Sequence, residues 1–110
     1  MPSDDLSVAL LRQLADSPDT SQRELAQVNG VSLGKLNYAL RALIDKGWVK
    51  AGNFRRSQNK LGYAYLLTPS GIEAKAQLTR HFLARKMREY DQLHSEIQRL
   101  KDEIGREDAA

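Results

Sequence analysis

The chain of 110 residues contains no cysteine, only three prolines and one tryptophan, and its apolar residues occur in short runs. Without thiolates it cannot form a disulfide framework, an iron–sulfur cluster held by cysteine or a cysteine-rich zinc site. No apolar run approaches the roughly 20 residues of a membrane span, and no basic-then-apolar leader is present. The sequence therefore predicts a cytoplasmic protein made of one small domain and at most one extension, with no membrane partner.

Patterns typical of catalysis are also missing. There is no glycine-rich phosphate loop and no grouped set of serine, histidine and aspartate. His81 and His94 stand thirteen residues apart, with no carboxylate at a ligand-like spacing. We therefore expect no enzyme activity, no catalytic residue, no cofactor and no metal site.

Positive charge is concentrated in one segment of the chain. The net charge is +3, but residues 1–30 carry −3, residues 31–62 carry +6 and residues 63–110 are neutral. A basic patch is the electrostatic footprint of a nucleic-acid-binding protein, because each neutralised phosphate releases condensed counterions. A solvated surface without a partner is the alternative interpretation.

The strongest local pattern covers residues 21–44, SQRELAQVNGVSLGKLNYALRALI. Ser21 and Glu24 form a capping box that begins a helix, and Asn29-Gly30 is typical of a helix end. Its apolar face is expected to hold Leu25, Ala26 and Val28. A second N-cap, Ser32, begins the next helix, whose apolar stripe follows spacings of three and four: Leu33, Leu36, Leu40, Leu43 and Ile44. Preceded by a core helix over residues 3–15, this pattern predicts a helix-turn-helix.

The second helix of the pair, residues 32–46, is the predicted recognition helix for a DNA major groove. Its polar face carries the candidates for base contacts, because Arg and Lys donate to guanine and Asn pairs with adenine: Lys35, Asn37, Tyr38 and Arg41. Tyr38 could instead pack in the core. Ser21 and Ser32, at the two helix starts, are candidates for backbone contacts.

Two β-prone segments follow, 48–54 and 63–68, around a polar and basic loop. A hairpin directly behind a helix-turn-helix is a wing, whose tip can lie on the DNA backbone or in the minor groove. The candidates for these contacts lie in the loop 55–62: Arg55, Arg56, Asn59 and Lys60. A plain hairpin without DNA contacts is the alternative. Trp48 and Phe54 are expected in the core beneath the hairpin rather than as a platform for base stacking.

A long helix is predicted from Ile72 to Ile104, because this segment contains no proline or glycine. Its final heptads place apolar residues at coiled-coil positions a and d, which makes them the dimerisation candidates: Leu83, Tyr90, Leu93, Ile97, Leu100 and Ile104. Glu96 and Lys101 favour a parallel pair. The alternatives are an antiparallel dimer, or a helix that folds back on its own domain. The predicted domains are a winged helix-turn-helix over 1–69, a dimerisation helix over 70–104 and a frayed tail over 105–110.

The predicted fold is mainly α with a small β-hairpin, a winged helix-turn-helix followed by a long C-terminal dimerisation helix. This order of elements resembles the MarR family of bacterial winged-helix regulators. The likeness is carried by SQRELAQVNGVSLGKLNYALRALIDKGWV and by LLTPSG, which is similar to the strand-ending Leu-Thr-x-x-Gly of the family. Within the family, the chain resembles the small regulators associated with exopolysaccharide (EPS) loci over about residues 6–104. The resemblance implies a homodimeric DNA-binding transcription factor.

The chain departs from the family pattern at two places. Many MarR proteins have an Asp-Arg pair in the wing, where this chain has Asn59 and Lys60. Larger family members also have extra N-terminal helices that build a ligand pocket, whereas this chain begins almost at its first domain helix, so the sequence does not support a small-molecule effector. A competing hypothesis is a winged-helix module that binds other proteins and has only incidental affinity for DNA.

Overall fold

A computed structural model describes residues 4–54 and 62–109 of the chain. The described part contains four helices and one hairpin, in the order α1 (Asp4–Asp16), α2 (Gln22–Asn29), α3 (Leu33–Asp45), β1 (Val49–Phe54), β2 (Gly62–Leu67) and α4 (Pro69–Ala109). This confirms a mainly α winged helix-turn-helix with a small hairpin and a long C-terminal helix. The chain divides within α4 into two compact units, Met1–Thr79 and Arg80–Ala110.

Leucines from the first three helices form the core of the first unit. The largest fully buried side chains are Leu10, Leu11, Leu14, Leu25, Leu36, Leu40, Leu43 and Val49. The leucines recur at helical spacings, so that each helix turns one apolar face toward the others, and Val49 adds a side chain from β1. Burial of a leucine contributes about 1.5–3 kcal/mol, so this cluster dominates the stability of the unit.

Two apolar residues expected in this core are exposed, so these predictions were wrong. Val28 is 72% exposed, because the core-facing side of α2 is set by Leu25 and Ala26 and passes next through Asn29. Leu33 is 48% exposed, because it lies in the first turn of α3, ahead of the turns that the core covers. Both residues are apolar, but their positions on α2 and α3 do not face the core.

The hairpin is antiparallel, with register pairs running from Val49 with Leu67 at its base to Phe54 with Gly62. The backbone N–H of Tyr65 donates to the carbonyl of Pro18 at 3.0 Å, which fastens β2 to the loop between α1 and α2. The wing is therefore attached to the helices at its base. The loop 55–61, which holds the predicted wing contacts, lies outside the described residues.

The junction between β2 and α4 explains the sequence Thr-Pro-Ser-Gly. The Thr68 hydroxyl accepts from the N–H of Gly71 at 3.0 Å, which caps α4, and donates to the carbonyl of Gly47. The Thr68 N–H donates to the carbonyl of Trp48 at 3.0 Å. A Cβ at position 71 would overlap that same carbonyl, so the close approach requires glycine. Pro69 occupies the first helical position, where a missing N–H costs nothing.

Helix α4 is longer than the sequence predicts at both ends. It begins at Pro69 rather than Ile72 and continues through Gly105 to Ala109, so the predicted fraying after Ile104 was wrong. A single glycine costs a helix only about 1 kcal/mol, and the residues after Gly105 include good helix formers. Among the described helices, none combines the length and apolar character that crossing a bilayer requires.

Candidate nucleic-acid interface

The turn between α2 and α3 has the geometry that the sequence indicates. Gly30 adopts a left-handed conformation, with φ of 63°, and its N–H donates to the carbonyl of Gln27 at 3.2 Å. The N–H of Val31 donates to the carbonyl of Ala26 at 3.0 Å, which closes the end of α2. The chain then reverses within a few residues and enters α3.

Serine side chains cap the start of each helix in this pair. The Ser21 hydroxyl oxygen accepts from the backbone N–H of Glu24 at 3.1 Å, and the Ser32 hydroxyl oxygen accepts from that of Lys35 at 3.1 Å. Both serines have extended backbones and are exposed. The remaining N–H groups of the first turns point out of the helices, where the dipole favours a negative ligand. Ser32 therefore begins α3 with a terminus suited to a phosphate.

One face of α3 is exposed and carries side chains with hydrogen-bonding groups. Lys35, Tyr38 and Arg41 follow one another at intervals of three residues, which places them along the same side of the helix. All three are exposed, and Tyr38 is 57% exposed, so the alternative of a core tyrosine was wrong. The opposite side of α3 is buried through Leu36, Ala39, Leu40 and Leu43. The core thus fixes which face of α3 is presented to solvent.

Asn37 is placed differently from the other three base-contact candidates. It is half-buried, and its Nδ2 donates to Oε1 of Gln22 on α2 at 3.2 Å. Nε2 of Gln22 in turn donates to the Tyr65 hydroxyl on β2 at 2.8 Å. We call these three side chains the amide relay. The relay joins α3, α2 and the strand β2.

A second amide pair holds α2 against α1. Nδ2 of Asn29 donates to Oε1 of Gln13 at 2.8 Å, and Nε2 of Gln13 donates back to Oδ1 of Asn29 at 3.2 Å. Asn29 also donates to the carbonyl of Leu25 at 2.7 Å. The helix that supports α3 is therefore tied to both of its neighbours by side-chain amides.

Basic side chains also lie beyond the exposed face of α3, on the side of the hairpin. Lys46 and Lys50 are exposed, and the Lys46 Nζ lies 4.6 Å from the ring centroid of Trp48. The Trp48 ring is half-buried against the core, as expected for a residue beneath the hairpin. Asp45 is the one acidic side chain within residues 31–62. The described surface from α3 to β1 is therefore basic, which favours a polyanionic partner.

Four predicted backbone contacts lie outside the described residues, in the wing loop: Arg55, Arg56, Asn59 and Lys60. The side chain of Phe54 is likewise outside them. Phe54 and Gly62, which flank this loop, form the last pair of residues in the hairpin. In the described ranges, no group of three or more His, Cys, Asp or Glu side chains could hold a metal ion.

No sequence pattern indicates the roles of Gln22 and Tyr65. Gln22 stands in the first turn of α2, where most polar residues face solvent, and Tyr65 stands 43 residues later in a strand. Neither residue belongs to a motif with a fixed spacing. Only the tertiary structure brings them to Asn37.

Residues 3–50 match the family model described as winged helix-turn-helix DNA-binding. No curated protein matches the chain by sequence. Among solved structures, the chain is similar to the transcriptional regulator BldR from Sulfolobus solfataricus, with 22% identity over 76% of this chain and 59% of that one, and a TM-score of 0.60. It is also similar to the apo form of MarR from E. coli, with 26% identity over 67% of this chain and 53% of that one, and a TM-score of 0.57.

A third solved structure covers more of the chain. The MarR/EmrR family transcriptional regulator from Acinetobacter sp. ADP1 is 18% identical over 91% of this chain and 75% of that one, with a TM-score of 0.60. The chain spans only 59% and 53% of BldR and MarR, respectively. Residues 3–50 of this chain therefore match the winged helix-turn-helix DNA-binding family, and the chain shares its fold with MarR-family transcriptional regulators.

Proposed function

We propose that this chain is a sequence-specific regulator of transcription that binds double-stranded DNA as a homodimer. Residues 32–46 would lie in the major groove. The observation that carries this proposal is the exposed face of α3, on which Lys35, Tyr38 and Arg41 lie opposite the leucine core. A helix capped at its start by Ser32 and buried on one side presents these side chains on a rigid support.

The three exposed side chains suit different parts of a base pair. Lys35 and Arg41 can donate to O6 and N7 of guanine, and Arg41 can do so with two parallel hydrogen bonds. Tyr38 offers an aromatic ring for the methyl group of thymine and a hydroxyl for a phosphate. Ser21 and Ser32, with the N–H groups beside them, would contact the backbone and set the register of α3.

Asn37 has a supporting role in this proposal rather than a base contact. One of the two N–H groups of its Nδ2 donates to Oε1 of Gln22, so the amide is held against α2 while Lys35, Tyr38 and Arg41 are exposed. The relay instead fixes α3 against the wing strand through Tyr65. The base contacts in this proposal are therefore Lys35, Tyr38 and Arg41, with Asn37 as the residue that positions α3.

The wing loop would supply contacts that do not depend on sequence. Arg55, Arg56, Asn59 and Lys60 are proposed to lie on the DNA backbone or in the minor groove, as the composition of the loop suggests. In this arrangement, residues 1–69 form the DNA-binding domain and residues 70–104 carry the dimer contacts. Two recognition helices would then occupy half-sites separated by about 10 or 21 base pairs.

Support for a homodimer comes from the part of α4 in the second unit. Its predicted contact residues have between 43% and 67% of their surface exposed in the single chain: Leu83, Tyr90, Leu93, Ile97, Leu100 and Ile104. An apolar stripe of this kind marks an interaction surface. The resemblance to regulators associated with EPS loci adds polysaccharide genes as the proposed targets.

Selection of bound duplexes from a random oligonucleotide pool tests the function. We expect the wild-type protein to enrich a near-palindrome, and Lys35→Ala or Arg41→Ala to relax the preference at individual positions by about 1–3 kcal/mol. Arg12→Ala is the matched control, because Arg12 is an exposed cation on α1. Replacing Arg55 and Arg56 should weaken binding to all duplexes alike and reduce the salt slope by about 0.9 per lost phosphate contact.

The competing function makes a different prediction in the same experiment. A module that binds other proteins would enrich no sequence, and Arg12→Ala would lower its DNA affinity as much as Arg41→Ala does. That outcome would overturn the proposal.

A further inference from the structure

We infer that residues 83–104 of α4 form a parallel, in-register, two-stranded coiled coil with a second copy of this chain. The inference rests on the homodimer of the proposed function and adds the orientation and register of the two helices. It is carried by three features of the second unit: an unbroken helix, an exposed apolar stripe and the charges that flank the stripe.

The stripe follows a heptad repeat. Position a holds Leu83, Tyr90, Ile97 and Ile104, and position d holds Leu93 and Leu100. All of these side chains are exposed in the single chain, and the helix runs through them without interruption. Apolar residues every 3.5 positions on average form a seam that a second helix of the same kind can bury.

The remaining d position holds Lys86. Its Nζ lies 3.2 Å from Oε2 of Glu89 in the same helix, so the ammonium group has an ionic partner without one from a second chain. The alkyl part of such a lysine can cover the seam while its charged end stays in water. A parallel, in-register pair places the two Lys86 residues at the same level of the seam, where both ammonium groups can reach water.

The charges beside the seam select the orientation. Position g holds a glutamate in three successive heptads, Glu89, Glu96 and Glu103, whereas position e holds Met87, His94 and Lys101. In a parallel pair, each g residue lies near the e residue five positions later in the other helix, so Glu96 meets Lys101 of the partner subunit. In an antiparallel pair, g residues lie near g residues, and glutamates would face one another. Opposite charges are therefore paired only in the parallel arrangement.

Charge also argues for a second copy over a membrane surface. Residues 80–110 contain seven basic and seven acidic side chains, so this unit has no net attraction to anionic lipid. An amphipathic membrane helix has a basic polar face, whereas glutamates border this stripe. The stripe and the charges beside it therefore suit a second copy of this chain better than an anionic membrane.

Charge reversal in the full chain separates the two orientations. For Glu96→Lys, we expect the dimer dissociation constant from sedimentation equilibrium to rise about tenfold, because two symmetric pairs change from attraction to repulsion. Lys101→Glu should act alike, and the double variant Glu96→Lys/Lys101→Glu should return to within about twofold of wild type. Asp91→Lys, with the same charge change at the outward position b, is the matched control and should leave the constant unchanged.

The absence of cysteine allows an independent measurement. Leu100→Cys places one thiol at position d of each helix, and in a parallel, in-register pair the two thiols face each other. Mild oxidation should convert most of this variant to a covalent dimer, whereas Asp91→Cys should remain largely monomeric on a denaturing gel.

Several outcomes would overturn the inference, and they can be told apart from failure of the proposed function. A dimer that tightens with Glu96→Lys, or that does not cross-link through Leu100→Cys, would show an antiparallel or out-of-register pair while leaving DNA binding intact. A chain that stays monomeric at every concentration would remove the coiled coil and the homodimer together. Loss of sequence preference in the oligonucleotide selection, with the dimer data as expected, would remove only the proposed function.

Discussion

Breaking the amide relay distinguishes a supporting asparagine from one that contacts a base. Tyr65→Phe removes the hydroxyl that accepts from Gln22 at 2.8 Å, and Asn37→Ala removes the amide that donates to Gln22 at 3.2 Å. Each change deletes one partly buried hydrogen bond, whose net contribution is about 0.5–1.5 kcal/mol. We therefore expect each variant to lower the free energy of unfolding by about 1 kcal/mol.

The effect on DNA binding should be uniform across sequences. If the relay only holds α3 in place, both variants weaken binding to the selected operator and to its single-base variants by the same factor, at most about fivefold if the whole 1 kcal/mol is lost from DNA binding. If Asn37 also pairs with adenine, Asn37→Ala costs about 1–3 kcal/mol more at one position of the operator than at the others.

The assay combines urea unfolding with fluorescence anisotropy on a panel of single-base operator variants. Tyr38→Phe is the control for unfolding, since Tyr38 is an exposed tyrosine outside the relay. The double variant Asn37→Ala/Tyr65→Phe should lose less stability than the two single variants together, because both bonds involve Gln22. Loss of preference at one operator position in Asn37→Ala, with Tyr65→Phe behaving as wild type, would refute the supporting role.

Two further predictions concern stability. Gly71→Ala should lower the free energy of unfolding by about 3 kcal/mol, because its Cβ would overlap the carbonyl of Trp48, whereas Gly105→Ala, with open space around it, should strengthen α4 by about 0.5–1 kcal/mol. Equal urea midpoints for the two glycine variants would contradict the close approach at Gly71. Ser32→Ala should cost about 1 kcal/mol by removing the cap of α3, and an unchanged thermal midpoint would show that the cap contributes nothing.

The parts of the fold that depend on neighbouring residues could be predicted from the sequence. Ser21 and Ser32 cap the helices that follow them, and Gly30 has the left-handed conformation expected at a helix end. Leu36, Leu40 and Leu43 are buried at the spacing of one helical face. These signals are local, because a cap, a turn and an apolar stripe each involve residues a few positions apart.

The features that depend on distant residues could not be predicted. The Tyr65 hydroxyl accepts from a glutamine 43 positions earlier in the chain, and no spacing rule links the two residues. In the sequence, Gly71 looks like an ordinary turn residue that ends a strand. In the structure, its lack of a side chain makes room for the backbone of Trp48. Asn37 has the chemistry of an adenine contact, and only its bond to Gln22 indicates another role. Polarity and period alone do not show which polar groups find partners within the fold.

The ratio of specific to non-specific DNA affinity tests the central proposal most directly. It requires the dissociation constants of the full chain, at physiological salt, for the selected operator and for a duplex of the same length with shuffled sequence. We predict that the operator binds at least about a thousandfold more tightly, the lower end for sequence-specific proteins. We also predict that Arg41→Ala removes most of this difference while Arg12→Ala preserves it. Equal affinity for the two duplexes would contradict the assignment of α3 as a recognition helix.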